Sequence, residues 1–131
     1  MNKIEPIWLD ANAVMLIHQR QLAEHGGLQG IRDQGMLESS LAAPRHRYLY
    51  EDDDLYDIAA CYGARIAGNH PFCDGNKRTA WVCARLFLRL NGHDIEALPA
   101  EKLQAMLSVA AGTMSQAQFA QWLREHGREA R

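Results

Sequence analysis

The residues with the most chemical potential lie in one short stretch, HPFCDGNKRTA, at residues 70–80. It places a histidine, an acid, an amide and two cations within nine positions, a mixture that a buried core does not need. His70 can accept a proton from a hydroxyl group near neutral pH. Asp74 supplies the kind of carboxylate that binds a magnesium ion held on phosphate oxygens.

The residues after Asp74 predict a phosphate site at the start of a helix. Gly75 allows backbone conformations that other residues avoid, and the helix is expected to begin at Asn76. The first N–H groups of a helix have no partner inside it, and with the helix dipole they attract anions. Lys77 and Arg78 add two cations there, which is unfavourable unless an anion is bound. The stretch therefore predicts phosphate transfer, although its spacing is not that of a Walker P-loop.

Each of these residues has an ordinary structural explanation when it is taken alone. A histidine before a proline is usually a turn residue, and Asp74 alone would usually cap a helix. Phe72 is expected in the core, where it would hold the loop in place. His18 falls on the apolar face of its helix, so a hydrogen-bonded core histidine is expected there. The concentration of chemical groups at one helix entry nevertheless favours the functional interpretation.

The elements that position this stretch are predicted to be helical nearly throughout. Helix caps are predicted at Asp10, Asp33, Asp54 and Ser115. The first helix is expected to end at Gly26, and the second is expected to stop before Pro44. Pro99 suits the first turn of a later helix. The apolar spacing of that helix predicts the burial of Leu103, Met106, Leu107 and Ala110.

The helix predicted for residues 76–90 differs from the others because apolar residues surround nearly all of it. Such a helix is expected at the centre of its domain. Arg85 and Arg89 break the pattern on one stripe, and they are expected to be solvated or ion-paired. We therefore expect an all-α, single-domain bundle over residues 1–131, with a core at about 8–123 and this helix at its centre.

Composition limits the classes of function. The chain has 131 residues, of which 47% are hydrophobic and 23% charged, which suits one globular domain. Its net charge of -2 argues against nucleic-acid binding through bulk charge, so no direct nucleic-acid binding is expected. No apolar run predicts a membrane span, and no membrane partner is expected. Three cysteines without a CxxC pair favour reduced thiols and a cytoplasmic location.

The stretch resembles the signature of the Fic/Doc superfamily, and specifically of its death-on-curing (Doc) branch. The general signature is H-x-F-x-[DE]-G-N-G-R-x-x-R, and it is matched at His70, Phe72, Asp74, Gly75, Asn76 and Arg78. Lys77 and Trp81 depart from it, and these departures resemble the Doc branch, which carries N-K-R-T-A here. The similarity extends over most of the chain, from about Trp8 to Leu123.

The resemblance implies an all-helical fold and the toxin of a type II toxin–antitoxin system. Most Fic proteins transfer AMP from ATP, whereas the Doc branch transfers the γ-phosphate to a threonine of elongation factor Tu and arrests translation. The resemblance implies that His70 is the general base, that Asp74 holds Mg²⁺ and that Phe72 is structural. It implies that the phosphates of ATP are bound by Gly75, Asn76, Lys77 and Arg78.

The resemblance also implies two binding surfaces. A flap that docks the target by strand pairing is expected between Arg45 and Asp53, with Tyr48, Leu49 and Tyr50 in it. The chain lacks the inhibitory pattern [ST]-x-x-x-E-[GN] that many Fic proteins carry. Inhibition is therefore expected from a separate antitoxin, a small protein whose C-terminal segment folds as a helix over the active-site groove.

Three alternatives to a toxin kinase remain open. The same site could transfer AMP, as in most Fic proteins. A Fic-like domain without activity could only dock a partner or act as a corepressor with its antitoxin. A metal-dependent nuclease could use His70, Asn76 and His93, although neither the helical pattern nor the net charge favours it.

Overall fold

The computed structural model describes residues 4–130, and they form a helical bundle with one small pair of strands. The elements are α1 (Ala11–His25), α2 (Gln34–Tyr50), α3 (Leu55–Asn69), α4 (Asn76–Leu90), β1 (His93–Ile95), α5 (Pro99–Ala111), α6 (Gln116–Glu125) and β2 (Gly127–Glu129). The predicted all-α class is confirmed. Within the described range, every helix falls short of the length and hydrophobicity that a bilayer crossing requires.

The helix starts follow from local sequence. Each predicted cap accepts a hydrogen bond from the N–H group three residues later: Asp10, Asp33, Asp54 and Ser115. At the end of α1, Gly26 adopts a φ of 78°, and its N–H donates to the carbonyl of Leu22. A glycine ends a helix well in this conformation because it has no Cβ to clash with the preceding turn. The four predicted caps and the end of α1 are thus confirmed.

The end of α2 was predicted wrongly, because the helix continues through Pro44 to Tyr50. Proline removes one hydrogen bond of the helix ladder and crowds the preceding turn. Pro44 is nevertheless buried on one stripe with Leu37 and Ser40, and α2 packs against α3. Most helical stability in proteins comes from such packing, so tertiary contacts outweigh the local cost of the proline.

α3 and α4 form the centre of the bundle. α3 packs against α2, α4, α5 and α6, while α4 packs against α1, α3, α5 and β1. Tyr62 of α3 and Phe87 of α4 are fully buried, with ring centroids 5.3 Å apart. Gly63 allows a close approach of α6, since a Cβ there would lie 2.8 Å from the ring of Phe119. The residues at the start of α4 are therefore held by a packed, rigid element.

α5 buries a different set of residues from the one predicted. Met106 is buried, but Leu103 and Leu107 are 62% and 41% exposed. Ala105 and Val109 are buried in their place. The 3.6-residue period identifies an apolar stripe but not how much of its width is covered. The uncovered edge of this stripe faces the clefts beside residues 70–78.

β1 and β2 pair in antiparallel fashion, and Asp94 is opposite Arg128 in the register. Asp94 is 5% exposed and accepts a hydrogen bond of 2.9 Å from Nε of Arg85. Arg89 and Arg128 approach the same carboxylate at 3.8 and 3.7 Å. The prediction that Arg85 and Arg89 are ion-paired is confirmed, and the cluster joins the end of α4 to the strand pair.

Asp94→Asn is expected to lower the free energy of unfolding at pH 7 by about 1–2 kcal/mol, because a hydrogen bond to a charged group is lost while Arg85 can rehydrate. The hydrogen bond from Arg85 lowers the pKa of the Asp94 carboxyl. This stabilisation is therefore present above the unfolded-state pKa and disappears as pH falls through the folded-state pKa. Urea unfolding at pH 7 and near pH 2.5 should show a difference that closes at the lower pH. A constant difference would contradict the ionic origin.

Candidate active site

The motif loop, residues 70–75, joins α3 to α4, and α4 begins at Asn76 as predicted. His70 is the C-cap of α3 with φ 48° and ψ 58°. It lies outside the helix, in the left-handed region of backbone conformations. Among residues 4–130 it is the only non-glycine residue with a positive φ. Histidine tolerates this region better than most residues, yet the conformation still needs support from its surroundings.

One cleft of about 520 Å³ collects the predicted chemical groups. It is lined by His70, Cys73, Asp74, Gly75, Asn76, Lys77, Arg78, Leu103 and Leu107. The predicted base, metal ligand and phosphate-binding residues therefore meet in one place, and the imidazole, the carboxylate and both cations are on exposed residues.

A smaller apolar cleft of about 160 Å³ adjoins the first one. Lys77 and Arg78 line both clefts, as do Leu103 and Leu107 of α5. Trp81 forms part of the apolar wall, and its ring packs edge-on against Trp122 with centroids 6.1 Å apart. Charge and apolar surface thus lie side by side along α4 and α5.

The first turn of α4 lacks the side-chain cap that α1, α2, α3 and α6 have. Its N-cap residue, Gly75, has φ 77° and supplies no side-chain acceptor. Thr79 N–H makes the first intrahelical bond, to the carbonyl of Gly75 at 3.0 Å. The N–H groups of Asn76, Lys77 and Arg78 are therefore available to an anion. Within the described residues, no carboxylate forms a salt bridge with either cation.

Within the described residues, only one of the two carboxylate oxygens of Asp74 accepts a hydrogen bond. Its Oδ2 accepts a hydrogen bond of 2.9 Å from the N–H of Leu28, and its carbonyl accepts one of 2.8 Å from Nε2 of His18. Its Oδ1 accepts none from residues 4–130. The described residues contain no cluster of three or more side chains that could hold a metal alone. A single open carboxylate beside the predicted phosphate site fits Mg²⁺, which protein sites usually bind through one or two carboxylates together with phosphate oxygens.

The side chain of Asn76 closes the motif loop. Its Oδ1 accepts from the N–H of Phe72 at 3.0 Å, and its Nδ2 donates to the carbonyl of Phe72 at 2.9 Å. Both ends of the amide are therefore used inside the loop. Of the groups that Asn76 could offer to a phosphate, the backbone N–H and the second N–H of the amide are left open.

Phe72 and His18 tie the motif loop to α1. Phe72 is 1% exposed, and its ring stacks on the imidazole of His18 with centroids 3.8 Å apart and planes 8° from parallel. His18 is 3% exposed and bonds to the Asp74 carbonyl. The predictions of a core Phe72 and of a hydrogen-bonded core His18 are both confirmed.

The α1–α2 loop, residues 26–33, supports the motif loop from the other side, and no pattern in the sequence indicated this contact. Its backbone bonds join Arg32 N and Asp33 N to the Pro71 carbonyl and Cys73 N to the Gly30 carbonyl. Ile31 and Phe72 form an isolated antiparallel bridge. Backbone pairing between distant segments leaves no mark on composition or spacing, so only the fold shows it.

The proposed flap is not extended where it was expected to be. Tyr48, Leu49 and Tyr50 form the last turn of α2, so strand pairing there would require that turn to unwind. A two-bond ion pair between Arg47 and Asp53, with contacts of 2.6 and 3.1 Å, closes the bend that follows the helix. Leu49 and Tyr50 are exposed, and their role in target docking stays a prediction.

The three residues of the nuclease alternative do not lie together in the structure. His70 and Asn76 are at the start of α4, whereas His93 follows its end, about 22 Å away along a helix of 15 residues. Nδ1 of His93 lies 3.1 Å from the hydroxyl of Tyr56. These three residues cannot share one metal ion.

Thr79→Val is expected to raise the free energy of unfolding by about 1 kcal/mol, since valine has the same shape and removes a buried hydroxyl without a partner. Thr79 is fully buried, and its Oγ1 has no hydrogen-bond partner in the described residues. Urea unfolding measures the change, with Thr79→Ser as a control that keeps the hydroxyl and loses the methyl group. A destabilised valine variant would show that the hydroxyl is satisfied in solution.

Comparisons with known proteins found a family and two relatives that resemble this chain. The model of the Fic/DOC family matches residues 8–88. A protein kinase doc of Escherichia phage P1 is 35% identical over 112 residues, which cover 85% of this chain and 88% of that protein. A toxin Doc of Mycolicibacterium smegmatis is 40% identical over 74 residues, which cover 55% of this chain and 57% of that protein. The region matched by the family model contains the motif loop and α4 as far as Leu88, and the chain belongs to the Fic/Doc family.

Proposed function

We propose that this protein is the toxin of a toxin–antitoxin pair, and that it transfers the γ-phosphate of ATP to a threonine hydroxyl of elongation factor Tu. The observation that carries the proposal is the single cleft that joins His70, Asp74 and the open N-terminus of α4 with Lys77 and Arg78. The two relatives are named a protein kinase and a toxin. Phosphorylation of a translation protein would account for both names.

Each group in the cleft has a separate role in the proposed reaction. The N–H groups of α4, with Lys77 and Arg78, orient the phosphate chain and offset its charge. Asp74 would hold Mg²⁺, which neutralises negative charge on the phosphate oxygens when bound. His70 accepts the hydroxyl proton as the threonine oxygen bonds to the γ-phosphorus. The bond from that phosphorus to the bridging oxygen breaks, and ADP leaves with the electron pair.

Two residues favour phosphate transfer over AMP transfer. Lys77 lines the cleft where the general signature has a glycine, so its side chain occupies space through which a backbone could approach phosphate. Trp81 replaces the last arginine of the signature and packs on Trp122, so this position offers an apolar wall instead of a cation. Both changes weaken the binding of the α- and β-phosphates in the AMP-transfer orientation.

The apolar edge of α5 is consistent with inhibition by an antitoxin. Leu103 and Leu107 are exposed beside Lys77 and Arg78, and they line both clefts. An amphipathic helix could cover this edge with its apolar face and hold acidic side chains near the two cations. Such a helix would block the cleft that the phosphates need.

Intact-protein mass spectrometry of purified elongation factor Tu tests the proposal, after incubation with this protein, ATP and Mg²⁺. A gain of one phosphate is the expected result, and it should vanish without Mg²⁺. A gain of AMP would overturn the kinase assignment in favour of AMP transfer. An unmodified factor combined with intact growth arrest would overturn the target, and an unmodified factor without growth arrest would indicate a silent binding module.

A further inference from the structure

Arg32 makes the side-chain contact that reaches the backbone of His70. Its Nε donates to the His70 carbonyl at 2.6 Å, and its Nη2 donates to the Asn69 carbonyl at 2.9 Å. Arg32 belongs to the α1–α2 loop, while Asn69 and His70 end α3. Two adjacent carbonyls are thus bound by one planar guanidinium group from a distant part of the chain.

The end of α3 needs such a donor. The last carbonyls of a helix have no partners inside it, and Pro71 has no N–H group to offer. The forked, planar donors of arginine can satisfy two neighbouring oxygens at once. Because Asn69 and His70 supply the peptide oxygens on either side of the His70 Cα, the fork fixes the orientation of both peptide groups. His70 is held at φ 48° between them.

The remaining contacts of the α1–α2 loop hold a different part of the motif loop. They bind Pro71, Cys73 and Asp74 through backbone groups of residues 28–33, which a side-chain substitution leaves in place. Substitution of Arg32 should therefore free the peptide groups around His70 while the loop that carries Asp74 stays fixed. The direction of the imidazole follows the backbone torsions of His70, so these peptide groups aim the base.

We propose that Arg32 is a positioning residue that fixes the backbone of His70 and so aims its imidazole at the acceptor hydroxyl. The proposal rests on the role of His70 as general base in the proposed function. Arg32 acts on the base alone, so its loss should lower kcat and leave ATP binding unchanged. A misplacement of about 1 Å at a reacting group can lower a rate roughly 100-fold.

The test compares Arg32→Met with Arg124→Met. Arg124 anchors the opposite end of α3 through hydrogen bonds to Asp54 and Asp57, so it is a matched arginine remote from the cleft. Arg32→Met is expected to lower kcat roughly 10- to 100-fold with KM for ATP changed less than about twofold. Arg124→Met should lose stability and keep kcat. Arg32→Lys should recover part of the rate, because one ammonium group can still donate to these carbonyls.

Equal kcat losses in the two methionine variants would overturn the proposal, and so would a loss confined to KM. A second measurement does not depend on the reaction. NMR should show the Arg32 Nε–H exchanging more slowly than that of exposed Arg20, and Arg32→Met should change the His70 backbone couplings. If the wild-type protein transfers no phosphate, the proposed function fails while these spectra still decide the role of Arg32. Fast exchange of the Arg32 Nε–H, or unchanged backbone couplings at His70, would overturn the positioning role of Arg32.

Discussion

Replacing His70 is expected to abolish phosphate transfer and growth arrest while the fold stays intact. Removal of a general base typically lowers a rate by 10²–10⁴-fold. The side chain is exposed and makes no hydrogen bond within residues 4–130, so packing loses little. Because His70 has a positive φ, His70→Asn is a better variant than His70→Ala, since asparagine tolerates the left-handed region. Growth assays and transfer to elongation factor Tu measure the effect.

Circular dichroism melting should confirm that both His70 variants fold. His25→Ala is the control, because His25 is a partly exposed histidine at the end of α1, outside the cleft lining. It should keep full transfer. If His70→Asn folded normally and still modified the factor at the wild-type rate, the assignment of the base would be wrong.

Asn76→Ala is expected to lower transfer about as strongly as a misplaced catalytic group does, by roughly 100-fold. The expected cause is displacement of the motif loop, because the Asn76 amide bonds to both backbone groups of Phe72 and closes the loop that carries Asp74. Loss of these two hydrogen bonds should also lower the free energy of unfolding by about 1–3 kcal/mol, since Phe72 N–H and C=O lose their partner. Steady-state kinetics and urea unfolding measure the two effects.

The other end of α4 offers a matched control. Asn91 bonds to both backbone groups of Ile7 at 2.8 and 3.0 Å, so its side chain forms the same kind of clamp. Asn91→Ala should lose comparable stability and retain transfer. If both variants lost activity in proportion to stability, the effect of Asn76 would be general destabilisation. If Asn76→Ala kept its rate, loop closure would be irrelevant to the reaction.

The parts of the fold that depend on neighbouring residues could be predicted. Asp10, Asp33 and Asp54 cap helices because a short acidic side chain can reach an N–H three residues later. The start of α4 at Asn76 follows from a different local signal, because Gly75 allows the positive φ found just before the helix. Its chemical groups could be recognised because they are adjacent in the sequence, so no tertiary contact was needed to bring them together.

The features that were missed depend on packing between distant segments. The helix through Pro44 survives because α2 packs against α3, which the local sequence does not encode. Leu103 and Leu107 match a buried stripe, yet the bundle leaves their edge uncovered. The β1–β2 pair has only three residues in each strand, too few for an alternating pattern to be recognised.

In the candidate site, too, the features set by neighbouring residues were predicted and those set by distant segments were not. Lys77 and Arg78 were predicted at the helix start and are found there. The contact of Arg32 with the carbonyl of His70 spans 38 positions of the chain, so spacing gave no hint of it. The two hydrogen bonds from Asn76 to Phe72 were not predicted for another reason. An amide beside a predicted phosphate site was interpreted as a phosphate ligand.

The uncapped start of α4 would link the lifetime of the protein to the anion proposed to bind there. With Gly75 as its N-cap, this helix has roughly a few tenths of a kcal/mol less stability than a helix with a side-chain cap, and Lys77 and Arg78 add repulsion from the positive helix end. A bound anion removes both costs and shifts the equilibrium away from unfolded forms. Cellular proteases act largely on unfolded chains, so an occupied cleft slows turnover. Under the proposed function, the helix end that would bind phosphate would therefore also make the abundance of the protein depend on the occupancy of the cleft.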